Sequence, residues 1–273
     1  SLKNMVRRES LCFKRICIRL SDVEDAFLHV CKKRSAMSHN SDIWHLKRDW
    51  ATIKHDIHAA LRTGAYRFEA THRKSHTSPA VWSSKDMVVL RVLSRVLKTH
   101  LRPYLSQRVY HTIGGLKKAV RTVKSNLNAF TYVMRCDIKS YYASIRYVTV
   151  MRILERHIKD EGFMSIVWSA LCRTEACGGT FTDYGSIGLP KGSPLSPLLG
   201  AVALMPLDEM FSGIKARFKE HVFYVRFMDD WVVLTKTKTM LRKVVSHTHA
   251  CLASLHFTLH PQKNIYRQNR FRF

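Results

Sequence analysis

Acid is what this sequence is short of. Only 20 Asp and Glu stand against 46 Lys and Arg in 273 residues, a formal net charge of +26. A field of that size repels itself in the compact state and draws in polyanions, so a phosphate-rich partner outranks an ordinary solvated surface. Two long segments hold no acid at all: residues 87–136 carry ten Lys and Arg, and residues 231–273 carry eight. Each carboxylate lying between these blocks is therefore informative.

Long apolar runs are missing too. The two longest, around residues 163–172 and 195–207, are interrupted by Ser, Gly or Pro, whereas a spanning helix needs about 20 apolar residues. No membrane partner is expected, and no secretory leader is expected at the start. Cysteines are few and odd in number, Cys12, Cys17, Cys31, Cys136, Cys172, Cys177 and Cys251, which points to reduced thiols in a cytoplasmic setting. Cys172 with Cys177, His55 with His58 and His247 with His249 have ligand-like spacing, but no second Cys pair completes a four-ligand zinc pattern. Small buried thiols and exposed imidazoles are the expectation. What the chain does have is 46% apolar residues, enough to exclude wholesale disorder and to build one large domain or two lobes.

Along the chain the N-terminal third is largely helical in pattern. Ser21, Asp22 and Glu24 read as a cap for a helix through Ala26, Phe27 and Val30. Ile43, Leu46, Trp50, Ile53, Ile57 and Leu61 recur at helical intervals up to Gly64. Residues 67–78, with His72, Arg73, Lys74 and His76, lack a period and read as a mobile basic loop. A helix over residues 86–101, with Val88, Leu90, Leu93, Val96 and Leu97 inward, is ended by Pro103. Gly114 and Gly115 then make a turn into a basic amphipathic helix carrying Lys117, Lys118, Arg121 and Lys124. That feature is equally readable as a turn and cap or as a helix lying on a nucleic-acid backbone.

The chemistry-bearing residues follow. Asp137 ends a strand-like run over residues 132–136 and is followed by Ile138, Lys139, Ser140, Tyr141 and Tyr142. Gly188, Pro190, Lys191, Gly192, Pro194 and Pro197 form a loop in which Ser196 reads as an N-cap and Pro197 as the first helical residue, opening an apolar helix over residues 198–210. Asp229 and Asp230 then sit between two strand-forming runs, residues 222–225 and 231–234. An Asp-Asp pair alone is more often a plain turn. On the tip of a buried hairpin, in a chain poor in acid and in series with Asp137, it is a place to hold a divalent metal.

This order of strand-Asp, Gly/Pro loop opening a helix, and apolar-Asp-Asp-apolar resembles the palm of reverse transcriptases, and more narrowly the bacterial group II intron-type enzymes. The resemblance covers residues 80–265. It implies an α+β right-hand polymerase: a palm of antiparallel sheet and packed helices over residues 131–265, mainly helical fingers over 40–130, a helical extension over 1–39 and a short tail over 266–273. The implied function is RNA-directed DNA polymerase activity with an RNA template, a DNA or RNA primer and dNTPs. The alternative is a palm-fold RNA-binding or maturase-like protein with little synthesis.

The resemblance further implies two Mg²⁺ ions, with Mn²⁺ as a substitute, held by Asp137 and Asp229, with Asp230 as auxiliary ligand and Ile138 beside them. Tyr142 would pack on the sugar and exclude a 2′-hydroxyl, with Tyr141 able to exchange roles. Gly192 would let backbone approach a base pair. Lys85, Arg91, Lys191 and Pro194 would complete the substrate site, and Lys117, Lys118, Arg121, Lys124 and Arg95 the nucleic-acid surface. Lys263, after the last helix and a short strand, matches a lysine proposed to assist pyrophosphate departure as a general acid.

Two departures stand out. Lys191 replaces the usual Gln, and Phe227-Met228 replaces the commoner Tyr-Ala or Tyr-Met; neither removes a metal ligand. The sequence also stops ten residues after Lys263, before the family's helical thumb, so a second protein or a separate C-terminal thumb is expected to supply that grip. Intron mobility, retron synthesis, diversification and antiviral defence share nearly the same palm, and the residues present do not choose among them.

Overall fold

The computed structural model describes residues 16–73, 78, 80–105 and 115–268. Cys12, Lys74, His76, Arg108 and the first residues of the expected turn, Ile113 and Gly114, lie outside them.

In chain order the elements are helices α1 Leu20–Lys33, α2 Asp42–Arg48 and α3 Trp50–Thr63, strand β1 Thr71–Arg73, helices α4 Ser84–Leu101 and α5 Gly115–Asn126, strand β2 Tyr132–Cys136, helices α6 Tyr141–Ser144, α7 Tyr147–Glu155 and α8 Glu161–Leu171, strands β3 Thr174–Cys177 and β4 Thr180–Asp183, helices α9 Ser196–Ala203 and α10 Met205–Arg217, strands β5 Val222–Phe227 and β6 Asp230–Thr235, helix α11 Lys238–Ser254 and strand β7 Ile265–Gln268. The architecture is α+β. The elements form two compact units, each discontinuous in sequence: one from residues 1–100, 154–186 and 190–196, the other from 101–153, 187–189 and 197–273.

In the first unit several sequence expectations need correction. The cap of α1 is Arg19, whose backbone N–H donates to the Asp22 carboxylate at 3.0 Å, and Ser21 lies inside the helix. The expected helix over residues 44–61 is two helices broken at Asp49. The first is pinned independently, because the Asp42 carboxylate accepts from the Ser84 backbone N–H and hydroxyl at the start of α4. Gly64 does end α3, in the left-handed conformation at φ 74°.

The expected loop over residues 67–78 contains a strand, since β1 pairs in parallel with β3, about a hundred residues later in sequence. Thr71 is fully buried there and Arg73 pairs with Glu175. Such a partner is invisible to local pattern. The β3–β4 hairpin completes this three-stranded sheet. Helix α4 begins at Ser84 rather than Asp86, and Val89 and Val92 are buried along with the five expected residues.

The second unit is built on an antiparallel sheet of order β5-β6-β2-β7. Alternation sends Phe223, Val225, Val232, Leu234 and Val133 to one face, where Ala119 and Val123 of α5 cover them. Tyr224, Arg226, Trp231, Val233 and Met134 point to the other. There α10 packs against β5, its Phe211 stacked on Tyr224 at 4.1 Å, and α11 lies along β2 and β6. The single helix expected over residues 198–210 is α9 and α10, bent by 42° at Leu204, with Pro206 at the start of the second. Proline supplies no N–H to continue α9, so the chain restarts there. Ser196 is the first residue of α9, not its cap, and its hydroxyl donates to the Pro190 carbonyl. Among the described residues no single helix is long and apolar enough to cross a membrane.

Candidate active site

The site grows from the centre of the second sheet. β2 pairs with β6 so that Cys136 faces Trp231, and Asp137, the next residue, comes level with the end of the β5–β6 hairpin. That hairpin closes through a two-residue turn, Met228-Asp229, between the paired residues Phe227 and Asp230. Met228 sits at φ 57°, a left-handed conformation that costs a methionine energy unless its surroundings impose it.

Its carbonyl is held from inside the fold. Arg226, with its side chain wholly buried, donates from Nη1 to the Met228 carbonyl at 2.6 Å. It also donates from Nε to Asp208 Oδ1 at 3.0 Å, and from Nη2 to the other Asp208 oxygen and to the Ala201 carbonyl at 3.2 Å. The Tyr224 hydroxyl donates to Asp208 Oδ1 at 2.7 Å. Burial works against the guanidinium's charge, but Asp208 and Tyr224 outweigh it and hold Arg226 firmly cationic.

Around Asp137 the chain closes from the other side. Its backbone N–H donates to Asn264 Oδ1 at 3.3 Å, its carbonyl accepts from the His260 N–H at 2.7 Å, and Ile138 bridges to Leu259. Lys263 Nζ lies 3.0 Å from Asp137 Oδ2. The Ile138 side chain is buried.

Asp229 is half-buried. Burial raises its carboxyl above the usual carboxylate range; Asp230 and Asp137 push the same way, and Arg226 opposes them. The structure thus gathers carboxylates where their ionised forms repel one another. Asp230 turns aside: it is largely exposed and meets Arg135 at 3.4 Å, on the face covered by α5. Among the described residues no three His, Cys, Asp or Glu side chains converge as a ready-made metal cluster. Asp137, at the end of β2, and Asp229, in the β5–β6 turn, lie at the same end of the sheet.

Below the acids, α6 carries the two tyrosines. Tyr141 is buried, and its hydroxyl donates to the Gly200 carbonyl. Tyr142 is half-buried with its ring over the same residue: a Cβ at position 200 would stand 2.9 Å from Tyr142 Cε1. Gly188 takes φ 90°, with its N–H bonded to the Ile145 carbonyl.

The other sequence-selected residues lie on elements of both units. Lys117, Lys118, Arg121 and Lys124 are exposed along α5, while its Ala119 is buried against the sheet. In the first unit Arg95 pairs with Asp25 at 2.6 Å, Lys85 lies 5.9 Å from the Tyr66 ring, and Arg91 is half-buried on α4. Lys191 and Gly192 are exposed there and Pro194 half-buried; Gly192 takes φ 81°, a conformation that favours glycine. Sequence reasoning passed over Arg226, Asp208 and Arg135. The available signal was a charged residue, Arg226, at a position of a strand whose neighbours are all apolar.

The profile of the reverse transcriptase (RNA-dependent DNA polymerase) family matches residues 78–273. An uncharacterized 91 kDa protein in the cob intron of Schizosaccharomyces pombe is 28% identical over 144 residues, covering 50% of this chain and 17% of that protein. The group II intron-encoded protein LtrA of Lactococcus lactis subsp. cremoris is 28% identical over 112 residues, 41% of this chain and 18% of the relative. This chain therefore spans under a fifth of the length of either. Among solved structures, apo telomerase from Candida tropicalis, truncated from its C-terminal domain, superposes with a TM-score of 0.57 at 13% identity, over 69% of this chain and 43% of that one, and shares its fold. On the match over residues 78–273, this chain belongs to the reverse transcriptase family.

Proposed function

We propose that this chain is the fingers and palm of an RNA-directed DNA polymerase, with fingers over residues 40–130 and palm over 131–265. The observation that carries the reading is the register that brings Asp137 and Asp229 to the same end of the sheet, with Lys263 beside Asp137, in a protein of +26 net charge.

The donor set fits divalent metal. Mg²⁺ takes hard oxygen ligands from one or two carboxylates and fills its remaining positions with water and substrate phosphates. Asp137 and Asp229 offer that pair, and the cost of ionising Asp229 next to Asp137 and Asp230 is relieved when a cation sits between them. Asp137 already attracts one cation, the Lys263 ammonium. A pair of Mg²⁺ ions bound there would supply the activated primer 3′-hydroxyl and the neutralised leaving group.

The chain's own residues do the rest. Asp137 and Asp229 fix the metal sites relative to the sheet. Tyr142 supplies a flat wall beside the incoming sugar, and Gly200 leaves the space that its ring occupies. Lys263 moves between Asp137 and the leaving pyrophosphate, to which it gives a proton. The exposed Lys117, Lys118, Arg121 and Lys124 hold template or primer phosphates, and dNTPs are the substrates.

The test is primer extension on an RNA template by Asp137→Asn and Asp229→Asn. Both are expected to abolish extension with template affinity unchanged, since binding rests on Lys and Arg against phosphate. Extension at a comparable rate would remove the assignment. Tight template binding without any extension by the parent chain would favour the RNA-binding, maturase-like alternative.

A further inference from the structure

We infer that Arg226 is a positioning residue for the metal site: with Asp208 and Tyr224 it holds the Met228-Asp229 turn, and so sets the place of Asp229 at the end of the sheet that carries Asp137. The inference rests on the reading of Asp229 as a metal ligand given above.

Three observations carry it. First, the Arg226 guanidinium is wholly buried on an otherwise apolar strand, where hydrophobic residues of the same volume would serve a merely packed core as well or better. Second, its bonds do not end at the ion pair. One nitrogen reaches forward to the Met228 carbonyl at 2.6 Å, and another reaches the Ala201 carbonyl of α9 at 3.2 Å. The peptide it grips follows directly on a left-handed methionine and leads into Asp229. Third, the anchor is itself fixed. Asp208 receives bonds from both Arg226 and Tyr224, and Tyr224 is clamped by its stack on Phe211. A chain of contacts therefore runs from α10 through Asp208 and Arg226 to the backbone that carries the metal-ligand candidate. A two-residue turn with a strained residue has other conformations open to it, and a change there moves Asp229 relative to the end of β2. Planar, forked donors suit this bridging task, which a lysine's single ammonium cannot duplicate.

The experiment must separate positioning from folding. Arg226→Met alone strands Asp208 as a buried, unpaired charge and is expected to unfold the palm. The triple variant Tyr224→Phe/Asp208→Leu/Arg226→Met removes every polar member together, which restores an apolar core. In the full chain, Mn²⁺ affinity is measured by electron paramagnetic resonance without nucleic acid, folding by circular dichroism and thermal unfolding, and extension as a function of Mg²⁺. The triple variant is expected to fold and to bind template normally. Its Mn²⁺ affinity should fall by about tenfold to a hundredfold, with a matching rise in the Mg²⁺ needed for half-maximal extension. A folded triple variant with parental Mn²⁺ affinity and Mg²⁺ dependence would overturn the inference. So would a triple variant that cannot fold, which would assign the network to the core alone. Asp229→Asn, run alongside, separates the two claims. If Asp229→Asn loses Mn²⁺ binding and the triple variant does not, only the positioning role fails; if Asp229→Asn itself binds Mn²⁺ and extends primers normally, the metal-site reading fails and takes this inference with it.

Discussion

The Lys263 ammonium lies 3.0 Å from Asp137 Oδ2, on a segment that also bonds both backbone groups of Asp137 through His260 and Asn264. One residue is thus gripped on main chain and side chain by a stretch more than 120 positions away. Lys263 is itself well exposed, so the pair contributes little to stability; its interest is competition with metal.

Lys263→Ala should separate those roles. With the competing cation gone, half-saturation with Mg²⁺ should move to the same or lower concentration. Lost proton transfer should cut the single-nucleotide incorporation rate at saturating Mg²⁺ by about a hundredfold or more. Incorporation rates across a Mg²⁺ titration check this, and an unchanged maximal rate would return Lys263 to the surface.

Tyr142→Ala should raise ribonucleotide incorporation relative to deoxyribonucleotide. Gly200→Ala should act on the same ring from beneath, because the added methyl group stands 2.9 Å from Tyr142 Cε1. It is expected to raise the KM for dNTP more than it lowers the rate. Competition assays with paired nucleotides measure both.

Tyr141 should behave differently from its neighbour. Tyr141→Ala empties a buried aromatic site and should cost about 3–5 kcal/mol of stability. Tyr141→Phe loses one hydrogen bond to the Gly200 carbonyl and should cost about 1 kcal/mol. Urea unfolding distinguishes them.

Asp86 in the first unit is expected to make stability pH-dependent. Burial raises its carboxyl to about 6, although Tyr66, Ser83 and the Glu69 N–H donate to it. Its unfolded value is near the ordinary ~3.9, so between the two values the folded state holds more protons. Its stabilising contribution is therefore full below about pH 4 and lost as pH rises through 6. Between pH 7 and 5 the melting temperature of the parent should gain on that of Asp86→Asn. A constant difference would contradict the shift.

RNA affinity should fall steeply with salt, and replacing Lys117, Lys118 and Arg121 by Gln should flatten the log-log slope by about 2 for single strands. Filter binding over a range of NaCl concentrations tests this; an unchanged slope would take α5 off the binding surface.

Sequence alone determined a good deal here. The charge excess, the strand-forming runs around Asp229 and Asp230 and the helix-ending glycine at 64 are local signals, set by side-chain chemistry within a few residues. The family was legible for the same reason, because its motifs are short and ordered. Tertiary structure decided the rest. β1 became a strand only because β3 lies beside it, and α9 and α10 part where Pro206 cannot continue the ladder inside a continuous apolar run. Tyr141 and Tyr142 are alike by type; that Tyr141 is enclosed with its hydroxyl on the Gly200 carbonyl, while Tyr142 stays half-buried with its ring over Gly200, was decided in three dimensions. Above all, Arg226 looked like one more cation among 46. Its grip on Asp208 and Met228 exists only once α10 is laid across β5, since a hydrogen-bond network is a property of positions in space and leaves no periodicity in the chain that forms it.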